Sequence, residues 1–175
     1  MDRQPTLEGP TLRLRPLRAS DHDTLFAAAA DPLIWEQHPD RARGSAEGFD
    51  RYFAEGLASG GALLISTADG TVIGSSRYDR YDPAGGGRVE IGWTFLVRAH
   101  WGGATNRELK QLMLGHAFGS VATVVFRVGA DNRRSRRAVE KLGAALADEI
   151  ETPLGPHVVY ELTREAWAHQ VDAAR

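Results

Sequence analysis

Cysteine is absent from the 175 residues, which excludes a disulfide framework, a thiolate nucleophile and a cysteine-ligated zinc site. No apolar run approaches the roughly 20 residues that span a bilayer. The opening MDRQPTLEGP is too polar for the h-region of a secretory leader. An excess of one charge is also lacking: 21 basic and 23 acidic residues leave a formal charge of −2. No global field therefore draws the chain to nucleic acid or to an anionic membrane. Among the six histidines no His-Glu-x-x-His or other close ligand spacing occurs, and no serine sits in Gly-x-Ser-x-Gly. Gly-Lys-Ser/Thr and Gly-x-Gly-x-x-Gly are missing as well, which argues against a P-loop and a Rossmann dinucleotide site. The expectation is a cytoplasmic protein with no metal, no nucleic-acid partner and no membrane partner.

What is present has ordinary globular proportions, with 25% charged and 42% apolar residues, and no repeat or linker divides it. Residues 1–175 are expected to form one domain, with flexible segments at 1–10 and 168–175. Leu12 and Leu14 alternate with Arg13 and Arg15 over Thr11–Leu17, the period of a half-buried strand. Ser20, followed by Asp21 and Asp23, predicts a helix start, and Asp31-Pro32 its end. Ile34–Gly44 reads as an irregular loop or short helix. A second helix is predicted over Ser45–Ala58, with Phe49, Tyr52, Phe53 and Leu57 on one face. Ala62–Thr67 and Thr71–Tyr78 read as a hairpin. Arg88–Val97 is the longest strand, with Val89, Ile91, Trp93 and Phe95 predicted on one face and Glu90, Gly92, Thr94 and Leu96 on the other.

The next stretch, RAHWGGATNRELKQLMLGHAFG over Arg98–Gly119, carries a Gly-Gly pair straight into a helical pattern. A strand, a glycine turn and a helix N-terminus in succession make an anion site, because the first amides of the helix are unpaired and the macrodipole is positive there. Plain turn chemistry would give the same residues. A strand at Thr123–Val128 follows, then a further amphipathic helix capped by Asp131-Asn132 and ended by Gly143, and a closing hairpin of Ala144–Glu151 and His157–Thr163. The order β-α-α-β-β-β-α-β-α-β-β is that of a mixed α/β domain.

LRLRPLRASDHDTLF, ADPLIWEQHP, EIGWTFLVRAHWGGATNREL and VGADNRRSRRAVEKLGA together resemble the GNAT superfamily of N-acetyltransferases. The similarity is greatest to the branch that holds the ribosomal-protein N-terminal alanine acetyltransferases. The resemblance implies a mostly antiparallel twisted sheet of about seven strands, flanked by about four helices, with a splayed strand at the cofactor cleft. It implies acetyl-CoA as co-substrate. The family's pyrophosphate segment, Gln/Arg-x-x-Gly-x-Gly/Ala, falls on Trp101, Gly102, Gly103, Ala104, Thr105 and Asn106. Here Trp101 replaces Gln/Arg, and Ala104 and Asn106 stand at the glycine positions. Leu96 and Val97 are implied to pair with the pantetheine amides, Asn132 to contact the same arm, and Arg136 or Arg137 to meet a phosphate. A solvated basic helix face is the alternative for those arginines.

Acetyl transfer needs a neutral amine, a polarised thioester carbonyl and a protonated leaving thiolate. The resemblance places the Val97 N–H at the carbonyl, Glu90 as the base and Ser135 as the acid. A sheet-surface carboxylate paired with Arg88 or Arg77, and an ordinary first-turn serine, are the alternatives. Many relatives carry a tyrosine where Val139 stands here, which leaves Tyr78 and Tyr160 in reserve. Trp35, Glu36, His38, Arg77 and Trp93 are the candidates for acceptor binding. The expected function is acetyl transfer from acetyl-CoA to a primary amine, on a peptide or a small molecule, by direct attack in a ternary complex of a monomer or homodimer. The competing expectation is a catalytically silent acyl-CoA-sensing module.

Overall fold

The apolar half of the Leu-Arg alternation, Leu12 and Leu14, is fully buried in β2 (Leu12–Pro16). In the computed structural model, which describes residues 1–173, β2 lies between β1 (Leu7–Glu8) and β3 (Ala62–Thr67). β4 (Val72–Asp82) and β5 (Arg88–Leu96) extend the sheet by antiparallel pairing. β6 (Thr123–Gly129) then runs parallel to β5, and β8 (Gly155–Thr163) and β7 (Ala145–Thr152) complete the order β1-β2-β3-β4-β5-β6-β8-β7. That single parallel pair needs a crossover, which α3 (Ala104–Phe118) supplies.

Strand β3 shows how the layers form. Ala62 and Leu64 point into a core shared with α1 (His22–Ala29) and α2 (Ala46–Ser59), through Leu25, Ala29, Phe49 and Phe53. Leu63 and Ile65 point the other way, to Leu109 and Met113 of α3 and Val139 of α4 (Arg133–Glu140). The centre of the sheet is thus buried on both faces, and β3 carries apolar residues on both, whereas the edge strand β7 is largely exposed.

Among the described residues, eight strands and five helices stand where about seven and about four were expected. β1 has two residues, too few to show an alternation. The additional helix is α5 (Arg164–Ala173), anchored by Trp167, whose ring lies 5.3 Å from that of Phe118. It covers most of the segment expected to be flexible at 168–175, of which 174 and 175 lie outside the described residues. At the other end, Leu7 and Glu8 pair with Leu14 and Arg13. The helix expected over Ser45–Ala58 runs one residue later, because Ser45 is the N-cap of α2 and accepts from the Gly48 N–H at 3.2 Å. Ser20 does not cap α1. A 3-10 turn spans Ala19–Asp21, because the Asp21 carboxylate is drawn back to the Arg18 N–H and the Arg15 guanidinium.

The predicted alternation of the longest strand breaks at Trp93. Arg77 pairs with Gly92 and Ser75 with Phe95, so Ser76 alone faces both Trp93 and Thr94. This is a β-bulge, and Trp93 takes a φ of 52°. The extra residue moves Phe95 into the α1–α2 core, whereas Val89 and Ile91 stay in the α3 core. Before the bulge the strand has already parted from its other neighbour, β6. β5 and β6 pair only from Arg88–Thr123 to Glu90–Val125. Ile91–Leu96 then follow β4, Phe126–Gly129 follow β8, and a wedge opens between them. Among the described residues no helix is long and apolar enough to cross a membrane.

Candidate active site

One wall of the wedge is the backbone of β5. The Val97 N–H donates to the Ile73 carbonyl at 2.8 Å and so faces β4, away from the wedge. This corrects the expectation that it is free to polarise a carbonyl: the β4–β5 ladder continues one residue past β5 and uses it. By strand alternation the amide and carbonyl of Leu96 face the wedge. The Leu96 carbonyl accepts the Trp101 indole N–H at 2.8 Å, and the Arg134 guanidinium sits 3.8 Å from the Trp101 ring centroid. Arg134 is held there by the Ile34 carbonyl at 3.1 Å and by Gln37, which accepts its backbone N–H at 3.2 Å. No motif in the sequence joins Trp101 to Arg134, and only the fold brings them together.

At the mouth of the wedge the chain turns through Gly102, whose φ of 68° is left-handed and favours glycine. Gly103 is the N-cap of α3, extended, with no side chain capping the helix and no acidic residue in its first turn. The amides of Gly103, Ala104, Thr105 and Asn106 have no hydrogen-bond partner among the described residues. Thr105 Oγ1 lies 3.3 Å from His100 Nδ1. Four outward amides at the positive end of a 15-residue helix form a cradle for an anion.

Glu90 lies at the apex of the wedge, 3% exposed. One of its oxygens, Oε2, accepts from both Arg80 and Arg127, neither of which is the expected partner. Arg88 pairs instead with Glu161, and Arg77 with Asp79. The bulge also corrects the predicted facing of Trp93. Arg80 lies over its ring at 5.4 Å and Arg77 at 4.4 Å, so Trp93 shares the side of Glu90 rather than opposing it. Arg77 is buried, and its Nε has no hydrogen-bond partner among the described residues.

Past the end of β6, a cavity of about 260 Å³ is lined by Glu36, His38, Asp131, Asn132 and Leu154, among others. Glu36 and His38 are thus brought together with Asn132. His38 lies against Arg43 and Asp40, and burial, followed by the Arg43 charge, pushes its pKa down to about 4. It is a neutral imidazole at physiological pH. Trp35 does not join them. It is 2% exposed, packed on Tyr52 and Phe95, with its indole N–H on the Ala29 carbonyl. Buried Asn132 caps α4 by accepting from the Ser135 N–H at 3.1 Å, and Ser135 itself is half-buried. Arg137 is exposed, whereas Arg136 is tied to Tyr160 and the Ala130 carbonyl. Both reserve tyrosines are engaged, Tyr160 with Glu140 and Tyr78 with the Met113 carbonyl, and Val139 is in the core.

A family model described as an acetyltransferase (GNAT) domain matches residues 11–145. A GCN5-related N-acetyltransferase from Brucella melitensis superposes with a TM-score of 0.84 at 20% identity, over 97% of this chain and 83% of that one. RimJ of Mycobacterium smegmatis, in complex with CoA-disulfide, gives 0.73 at 17% identity, over 97% and 94%. Spermidine N-acetyltransferase from Vibrio cholerae, in complex with CoA and spermine, gives 0.71 at 13% identity, over 91% and 99%. At these identities the three share this fold.

Proposed function

Because the chain belongs to the GNAT acetyltransferase family, we propose that it transfers an acetyl group from acetyl-CoA to a primary amine by direct attack in a ternary complex. The observation that carries this reading is the row of four unpartnered amides, Gly103 to Asn106, at the mouth of an unpaired strand wedge. The residues present fit the co-substrate. The amides would hold its diphosphate, exposed Arg137 a further phosphate, and the wedge-facing backbone of Leu96 together with the Asn132 carboxamide its amide-bearing arm. The Leu96 N–H takes over the carbonyl-polarising role expected of Val97. Glu90 stands as the base, with Oε1 left clear by its arginines, and Ser135 lies beside the arm.

Within the family, the sequence pattern favours the branch of the ribosomal-protein N-terminal alanine acetyltransferases. Carboxylates of Glu36 and Asp131 outnumber the one guanidinium, of Arg41, at the cavity and suit a cationic amine, on a peptide N-terminus or a polyamine. Arg77 and Trp93 would border the same acceptor. Purified protein is expected to release CoA thiol from acetyl-CoA in the presence of such amines, with an acetylated product detected by mass spectrometry. Absence of product across peptides, polyamines and amino acids would leave binding without transfer.

That second reading, a silent acyl-CoA-binding module, is favoured by the Trp101 indole lying across the Leu96 carbonyl. A ligand arm must displace it. Trp101→Phe removes the indole N–H at the cost of one hydrogen bond, about 1 kcal/mol. Coenzyme A is therefore expected to bind about fivefold tighter to this variant in calorimetry. Weaker binding would mean that the indole holds the ligand instead of competing with it.

A further inference from the structure

Lys110 is one of only two lysines in the chain and projects from α3 with 7% of its surface exposed. It forms no ion pair among the described residues. Its one hydrogen bond among the described residues goes to Thr94 Oγ1 at 3.4 Å, and that hydroxyl meets Ser76 Oγ at 2.7 Å. The Nζ also lies 5.6 Å from the centroid of the Phe126 ring. A buried ammonium without a counter-charge is costly, and a position that only needed filling would be better served by methionine or leucine. Its location accounts for it. Thr94 and Phe126 both lie past Glu90 and Val125, where β5 and β6 last pair, so the Nζ occupies the throat of the wedge from the α3 side. Glu90 reaches the same throat from the opposite face of the sheet, the side of Arg77, Arg80 and Trp93.

We propose that Lys110 is a catalytic residue of the transfer, donating an Nζ proton to the departing sulfur. This rests on the acetyltransferase reading above. The lone pair of the acceptor nitrogen forms the new C–N bond, and the electron pair of the breaking C–S bond passes to sulfur. Sulfur takes the Nζ proton and leaves as the thiol. The nitrogen gives its surplus proton to Glu90 directly or through water, and both groups return to their starting states by exchange with solvent. The chemistry is matched: burial lowers the Lys110 pKa to about 8, close to the roughly 8.5 of an alkyl thiol. No charged neighbour contributes to that shift. The titratable groups of the elements packed against Lys110 are otherwise committed: Tyr78 of β4 to the Met113 carbonyl, Glu90 of β5 to Arg80 and Arg127 of β6, and Glu108 of α3 to Thr11 and Leu12.

The test needs no known acceptor. The thiol of bound coenzyme A is titrated by its thiolate absorbance against an S-methyl-CoA blank, in the wild type, Lys110→Met and Lys110→Gln. The ammonium is expected to make the bound thiol at least about tenfold more acidic in the wild type than in either variant. With an amine acceptor, kcat is expected to fall about 100-fold in Lys110→Met with the KM for acetyl-CoA little changed. Bound coenzyme A with the same thiol pKa in all three proteins would overturn the role of Lys110 alone. A wild type that binds no coenzyme A would overturn the acetyltransferase reading, and this inference with it.

Discussion

Gly103→Glu is expected to weaken coenzyme A binding at least about 100-fold, roughly 2.7 kcal/mol, with the fold intact. The position separates binding from folding unusually well. Gly103 has a φ of −119°, which any residue adopts, and a Cβ there would approach nothing closer than the Trp101 carbonyl oxygen at 3.9 Å. A carboxylate at the N-cap also suits the helix dipole, so thermal stability should hold or rise slightly. The same carboxylate competes for the free amides of residues 104 to 106 and repels a diphosphate. Calorimetry with coenzyme A, beside a melting curve, measures both effects. Undiminished affinity in a folded variant would place the diphosphate elsewhere and remove the main support for the proposed site.

Glu90→Gln is expected to lower kcat about 100-fold while leaving coenzyme A affinity within about twofold. A carboxamide keeps the shape of the side chain but accepts no proton. It also withdraws the negative charge from two guanidiniums. Arg80 is 55% exposed and Arg127 31%, so water compensates them in part. The stability loss should therefore be modest, about 1–2 kcal/mol by denaturant titration. Turnover within twofold of wild type, in a variant that shows that stability loss, would leave Glu90 as a pin between β4, β5 and β6 and move the base to another group.

How far the sequence foretells these features depends on the distance over which each is encoded. The helix start at Ser45, the glycine turn into α3 and the alternating leucines of β2 are written within a few residues, and local stereochemistry carries them into the fold. The bulge at Trp93 is not, because two-residue alternation continues through it and only the mismatch with β4 reveals the extra residue. The engagement of the Val97 amide follows from the same pairing with β4. Arg127 and Arg80 could not be assigned to Glu90 from an arginine-rich sequence in which any basic residue is a candidate partner. In the sequence Lys110 is one polar position among the apolar residues Leu109, Leu112 and Met113. Its exceptional setting follows from two strands parting above it, a property of the sheet rather than of α3.

If coenzyme A binds as proposed, the indole seated on the Leu96 carbonyl is a rival to the ligand built into the chain. Occupancy of the wedge is then a contest between an internal tenant and an incoming one, and the guanidinium of residue 134 weights the odds from outside the reacting centre. Changes at that distant arginine would retune how much donor is needed to load the site, while the diphosphate cradle and the transfer chemistry stay as they are. An indole leaving a stacked cation also changes its fluorescence, so the exchange comes with its own optical signal.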